Sequence, residues 1–205
     1  MKTKSTLSLF LIALTLIVLP SFLNAPRASK FKVDSKASTL AWTGKKVTGE
    51  HTGLITVSNG ELILEDKTIK QGSFDIDLTS IAVTDITDAD KNAKLVGHLK
   101  SDDFFGVAAF PKATFVISSV TAKSGDEYSI QGKLTIKGKT NEIEFPAVIK
   151  NDGKQLTALA KITVDRSKYD IRYGSKSFFE NLGDKVIYDD FELNLKLVAN
   201  LQTGV

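Results

Sequence analysis

The chain has 205 residues, is 42% hydrophobic and 25% charged, and carries a formal net charge of +3. That leaves room for one sizeable core, and so small an excess of charge argues against the clustered basic face of a nucleic-acid-binding protein. With no cysteine in the sequence, a disulfide framework, thiol catalysis, Cys-ligated zinc and a lipidated N-terminal cysteine are excluded.

The N-terminus predicts an export signal. Lys2 and Lys4 precede an uncharged, largely apolar run over residues 7–19, which Pro20 and Ser21 end. The run has signal-peptide length and is short for a membrane span. Residues 1–25 are therefore assigned to a signal peptide, with cleavage between 25 and 28. The protein is expected in the periplasm or secreted, with no stable membrane span once the signal is removed.

Residues 31–42 (FKVDSKASTLAW) read as a first strand with a turn at Asp34 and Ser35. Residues 45–57 read as a second, polar strand around Gly49 and Gly53. Asn59-Gly60 is the strongest hairpin signal in the chain, because both residues tolerate the positive φ of a type I′ turn. Residues 61–64 are expected to leave it as the next strand.

Beyond that point the period of two is clear. Phe74, Ile76 and Leu78 share one face, as do Ala113, Phe115 and Ile117, then Leu134 and Ile136, then Ile143, Phe145, Ala147 and Ile149. Leu156 to Val164 and Phe191 to Leu197 alternate in the same way, with mostly charged or polar residues between. Such patterns mark strands with one buried and one wet face. Turn residues at Ser124-Gly125, Lys137-Gly138 and Asn151-Asp152-Gly153 separate neighbours at hairpin distance. The prediction is an all-β, eight-stranded antiparallel up-and-down barrel, whose closure removes exposed edges. A sandwich would show the same alternation.

Two segments break the pattern and predict short helical insertions. Residues 85–100 (DITDADKNAKLVGHLK) are helix-compatible and lead into residues 98–115 (HLKSDDFFGVAAFPKATF), where Ser101 or Asp102 is placed to cap a helix carrying Phe104 and Phe105. Residues 175–182 (SKSFFENL) form the second, with Ser175 or Ser177 as cap and Gly183 as stop.

Catalysis finds little support. His98 and Asp102 stand four apart, as on one helical face, yet neither they nor His51 comes with the third and fourth ligands of a metal site. Asp102-Asp103 and Asp189-Asp190 read as cap or turn carboxylates. No phosphate-cradling loop or nucleophile motif is present, so no catalytic residue, metal or cofactor is assigned. The aromatic residues carry more information. Phe104, Phe105, Phe110, Phe178 and Phe179 fall in the two insertions, where they either plug the barrel or line a ligand cavity, since small barrels are filled or hollow. The strand faces add Trp42, Phe74, Ile76, Phe115 and Phe145. An uncharged interior suits an aliphatic guest, each buried methylene of which contributes about 0.8 kcal/mol.

The segments VDSKASTLAWTGKKVTGEHTG, GSFDIDLTSI, GHLKSDDFFGVAAFPKATFVI, GKLTIKGKTNEIEFP, VDRSKYDIRYG and FELNLKLVA together resemble the YceI-like family of polyisoprenoid-binding, lipocalin-like domains, over residues 31–199. The most specific piece is the HLxSxDFFxxxxFPxxxF pattern at residues 98–115. The resemblance implies a barrel holding the apolar tail of an isoprenoid or similar long-chain amphiphile, for transport, storage or sequestration, without a catalytic apparatus. For the headgroup it leaves Lys45, Lys46, Arg166 and Arg172 as candidates to meet a phosphate. A filled barrel serving structure or protein interaction, and an enzyme acting on a bound lipid, are the alternatives; a homodimer is left open.

Overall fold

A computed structural model describes residues 28–66 and 68–202. The expected signal peptide, residues 1–25, lies outside the described residues. Nine strand segments follow in chain order: β1 (Ala28–Val33), β2 (Thr39–Lys46), β3 (Gly49–Glu65), β4 (Thr68–Val83), β5 (Lys112–Ala122), β6 (Glu127–Ile136), β7 (Lys139–Asn151), β8 (Gln155–Asp165) and β9 (Ile187–Leu201). Each pairs antiparallel with its sequence neighbours from β2 to β9, and β2 pairs in turn with β9, which closes the sheet.

The nine segments fill eight barrel positions. β1 and β2 both lie between β3 and β9, β1 against Glu61 to Glu65 and β2 against Gly49 to Ile55. The break between them is a stapled loop. Asp34 accepts hydrogen bonds from the amides of Lys36 and Ala37, and Ser38 Oγ accepts from Val198 N at 3.0 Å. The result is the eight-stranded antiparallel barrel that the alternation predicts, with the first strand interrupted where Asp34 and Ser35 signal a turn.

Four local expectations are corrected. Asn59-Gly60 is not a hairpin turn: it lies inside β3, paired with Asp75 and Phe74 of β4. Neither residue has positive φ. Gly60 is there for space, since a Cβ would come within 2.6 Å of the Phe74 ring. The hairpins flanking β3 turn instead at Val47-Thr48, inside the expected second strand, and at Asp66, whose φ is 48°.

Residues 89–100 do form a helix, α1 (Ala89–Lys100), capped by the Asp88 side chain on Lys91 N at 2.9 Å. Ser101, however, ends this helix by donating Oγ to the carbonyl of His98, and Phe104 and Phe105 sit in the turns that follow. Residues 175–182 form no helix either. Eight residues are too few to recover the cost of nucleation, and Asn181 and Gly183 both take positive φ. Gly183 starts a single 3-10 turn, Gly183–Lys185, where a helix stop is expected.

Strand directions place both insertions, residues 84–111 and 166–186, at the same end of the barrel, together with the turns at Val47-Thr48 and Lys137-Gly138. That end is called the mouth. The opposite end carries the turns at Asp66, residues 123–126 and residues 152–154.

Candidate functional site

The inward residues of the strands do not fill the barrel. A cavity runs along it, with room for the centres of water-sized spheres over about 220 Å³. Its wall reaches from Leu62, Ile69 and Leu156 near the far end to Leu99, Phe105 and Ile171 at the mouth. The wall is apolar because the same parity that puts Lys and Glu on the outside puts Leu, Ile, Ala and Phe within. Its polar members are Tyr188 at the rim and one charged residue, Arg166.

Of the ten sequence-predicted residues, the structure brings Trp42, Phe74, Ile76, Phe104, Phe105, Phe115 and Phe145 together on this wall. Phe74 stacks on Phe115 at 6.4 Å between ring centroids, and Phe115 meets Phe145 at 5.5 Å. These rings lie against glycine seats. A Cβ on Gly132 would come within 2.4 Å of the Phe115 ring, as one on Gly60 would with Phe74. Glycines at inward strand positions signal such close approaches, and this signal in Gly132, between inward Ile130 and Leu134, is readable from sequence.

Phe110, Phe178 and Phe179 are not on the wall. Phe110 leans outward against Gly138 and Gly106. Phe178 and Phe179 sit on the turn after Ser175, 38% and 49% exposed, and Arg172 stacks over the Phe178 ring at 4.9 Å. A turn has no period from which an inward direction follows, so the Phe-Phe pairs looked alike in sequence although only one faces the cavity.

The cationic candidates separate in the same way. Arg166 is 4% exposed. Its Nε donates to Tyr188 O at 3.1 Å, Nη1 to Ile171 O at 2.9 Å and Nη2 to Ile187 O at 3.0 Å, while Nη2 lies 3.3 Å from Asp189 Oδ1. Burial draws its pKa below the usual guanidinium value, against the pull of Asp189 and Asp165. Arg166 therefore ties residues 166–186 down to the start of β9 and closes part of the mouth. Lys45 is held on the outer face by Glu192 at 3.0 Å, a hydrogen bond that raises its pKa. Lys46 is half-buried at the rim, and Arg172 pairs with Asp170.

His98 packs edge-on against Phe104 at 4.9 Å and Tyr173 at 4.5 Å. Its Nε2 lies 3.3 Å from Asp103 Oδ2, not beside Asp102, because the helix ends before a fourth residue can stack on it. Among the described residues no three His, Asp or Glu side chains converge as a metal site, and no helix is long and apolar enough to cross a membrane.

The family model for the YceI-like domain matches residues 31–199, the whole barrel. The chain belongs to this family. Solved structures show the same barrel fold. BcnA of Burkholderia cenocepacia superposes with a TM-score of 0.65 at 22% identity, over 82% of this chain and 99% of that one. A polyisoprenoid binding domain from Saccharophagus degradans, implicated in plant cell wall breakdown, superposes with a TM-score of 0.63 at 16% identity, over 87% of this chain and 100% of its own. At these identities the likeness is one of fold. In sequence, a UPF0312 protein of Staphylococcus aureus (strain USA300) is 46% identical over 90 residues, 40% of this chain and 50% of that protein. This YceI-like chain thus spans about half the length of the curated relatives it matches.

Proposed function

We propose that this YceI-like protein binds the apolar tail of an isoprenoid or similar long-chain amphiphile inside its barrel, shielding it from water for transport, storage or sequestration. The observation that carries this reading is the cavity: it runs the length of a closed barrel, and the guanidinium of its one charged wall residue is tied to three main-chain carbonyls and Asp189. Such a space gives an aliphatic chain about 0.8 kcal/mol per methylene withdrawn from water and asks for no polar contact along its length. The polyisoprenoid-binding description of the Saccharophagus degradans neighbour supports the same ligand class. No chemical step belongs to this reading. Lys2, Lys4 and the apolar run at residues 7–19 support a place in the periplasm or outside the cell.

The test is extraction of the purified protein with organic solvent and mass spectrometry of the extract, together with titration of prenyl probes. A prenyl or other long-chain lipid at near one per protein is the expected result. An empty extract and no probe binding would sink the proposal.

A further inference from the structure

A tail buried along the barrel leaves a polar head to be met at one end. Near the far end the wall residues are apolar, Leu62, Ile69, Ile149 and Leu156 among them. At the mouth, Arg166 is already committed to three carbonyls. Among the described residues, Tyr188 at the rim makes no side-chain hydrogen bond, whereas one imidazole, on the cavity-facing parity of β3, is held by a carboxylate.

His51 is directly opposite Gly44 in the β2–β3 ladder, one inward position beyond the Trp42–Gly53 pair. Opposed residues emerge on the same face of a sheet, and both Trp42 and Gly44 lie on the cavity wall. His51 therefore shares the cavity face at the rim, while Leu54, of opposite parity, is exposed. Gly44 leaves the way open, since a Cβ there would meet nothing within 4 Å. Asp85, just beyond β4, sets the ring: its Oδ2 is 2.8 Å from His51 Nδ1, and its Oδ1 accepts from Thr52 N at 3.0 Å. Partial burial pushes the Asp85 pKa up, but those two hydrogen bonds outweigh it and hold the carboxyl below its usual value. A neutral ring held in this way carries its proton on Nδ1 and offers Nε2 as a hydrogen-bond acceptor.

We infer that His51, oriented by Asp85, forms a headgroup site at the mouth of the barrel for an amphiphile ending in a hydroxyl group. This rests on the proposed lipid-binding function and adds the chemistry of the head to it. The hydroxyl donates to Nε2 while the tail passes Trp42 into the cavity. A head that cannot donate loses that bond and keeps the tail.

The experiment uses the chain's single tryptophan, Trp42, as a fluorescent reporter beside the site. Farnesol and farnesyl methyl ether are titrated into the protein, His51→Ala, His51→Gln and Asp85→Asn. The tails are identical, and only farnesol donates. Farnesol is expected to bind roughly threefold to tenfold tighter than the ether, the range of one net hydrogen bond. His51→Ala should bring the ratio to about one, and saturable binding of the ether by this variant shows that it is folded. The Gln variant, which keeps an acceptor, should recover part of the ratio, and Asp85→Asn should reduce it. Equal affinities in the unaltered protein, or a farnesol preference that survives His51→Ala, overturn the inference while leaving the lipid-binding function standing. So does tighter, His51-dependent binding of farnesyl phosphate. Failure of both farnesol and its ether to bind overturns the lipid reading, and the headgroup site with it.

Discussion

Tyr169 is 1% exposed, and its hydroxyl has no hydrogen-bond partner among the described residues. Burial, with Asp165 nearby, pushes its pKa up to about 12 from an ordinary 10. Two consequences follow for Tyr169→Phe. A buried hydroxyl without a partner costs about 1–3 kcal/mol, so its removal should leave stability at pH 7 unchanged or raise it by about 1 kcal/mol. The sign of the pH effect is fixed by which state holds the proton. Below pH 10 folded and unfolded chains are both protonated at this residue. Between 10 and 12 the unfolded chain has lost the proton that the folded one retains, so stability falls as pH rises, by roughly 1.4 kcal/mol per pH unit. Urea denaturation from pH 9 to 12 should show a shallower decline for the Phe variant than for the parent; parallel curves would show that the hydroxyl is in fact hydrated. At this scale the sequence is legible where parity applies. Phe74, Phe115 and Phe145 alternate with outward-facing neighbours and do face the cavity. Arg166 follows β8 on a 3-10 turn, where nothing in the sequence distinguishes a buried clamp from a surface cation.

Element by element, the barrel hairpins with Gly at a turn are readable, because Lys137-Gly138 and Gly153 require positive φ and few other residues tolerate it. Asn59-Gly60 carries the same signature for a different cause, the Phe74 ring laid over the strand, and the two causes cannot be told apart without the partner strand. The β2–β3 pair makes the distinction measurable. A Cβ on Gly53 would sit 1.8 Å from Ala82 O and 2.6 Å from the Trp42 ring, whereas one on Gly44, on the facing strand, meets nothing within 4 Å. Since Ala82 O belongs to the backbone of β4 and accepts from Trp42 Nε1 at 3.2 Å, it has little freedom to withdraw. Gly53→Ala should therefore cost about 2–3 kcal/mol, in the range of overpacked cores, and shift Trp42 emission. Gly44→Ala should stay within about 0.5 kcal/mol. Chemical denaturation of the two variants checks this, and equal costs would mean that β3 and β4 can separate at the mouth. The insertions are less legible than the strands, since α1 has both a cap and a length that favour a helix, whereas residues 175–182 have a Ser175 Oγ that accepts from Ser177 N but not the length.

A closed barrel with unfilled space inside has a stability that depends on what occupies the space. Each strand is fixed by two neighbours, so the fold does not need a guest, yet the lining side chains lack contacts on their inner side. A chain that enters should stabilise the folded form by mass action, about 2.7 kcal/mol at a free concentration one hundred times Kd. For a domain of this size that corresponds to a rise in Tm of about 5–10 °C. The rise should shrink when the space is filled from within. Ala158 is the residue to enlarge, because it is small, lies on the wall and belongs to β8, across the barrel in the strand order from β4, which carries the Phe74 ring. Ala158→Phe directs a ring into space that is already empty, so the unliganded protein should keep its Tm within a few degrees. Its Tm rise with farnesol should fall to less than half of the parent's. Calorimetry of both proteins with and without farnesol gives the comparison. A full rise in the variant would place the bound chain outside the barrel, and an unfolded variant would show that the cavity wall at β8 has no room to yield.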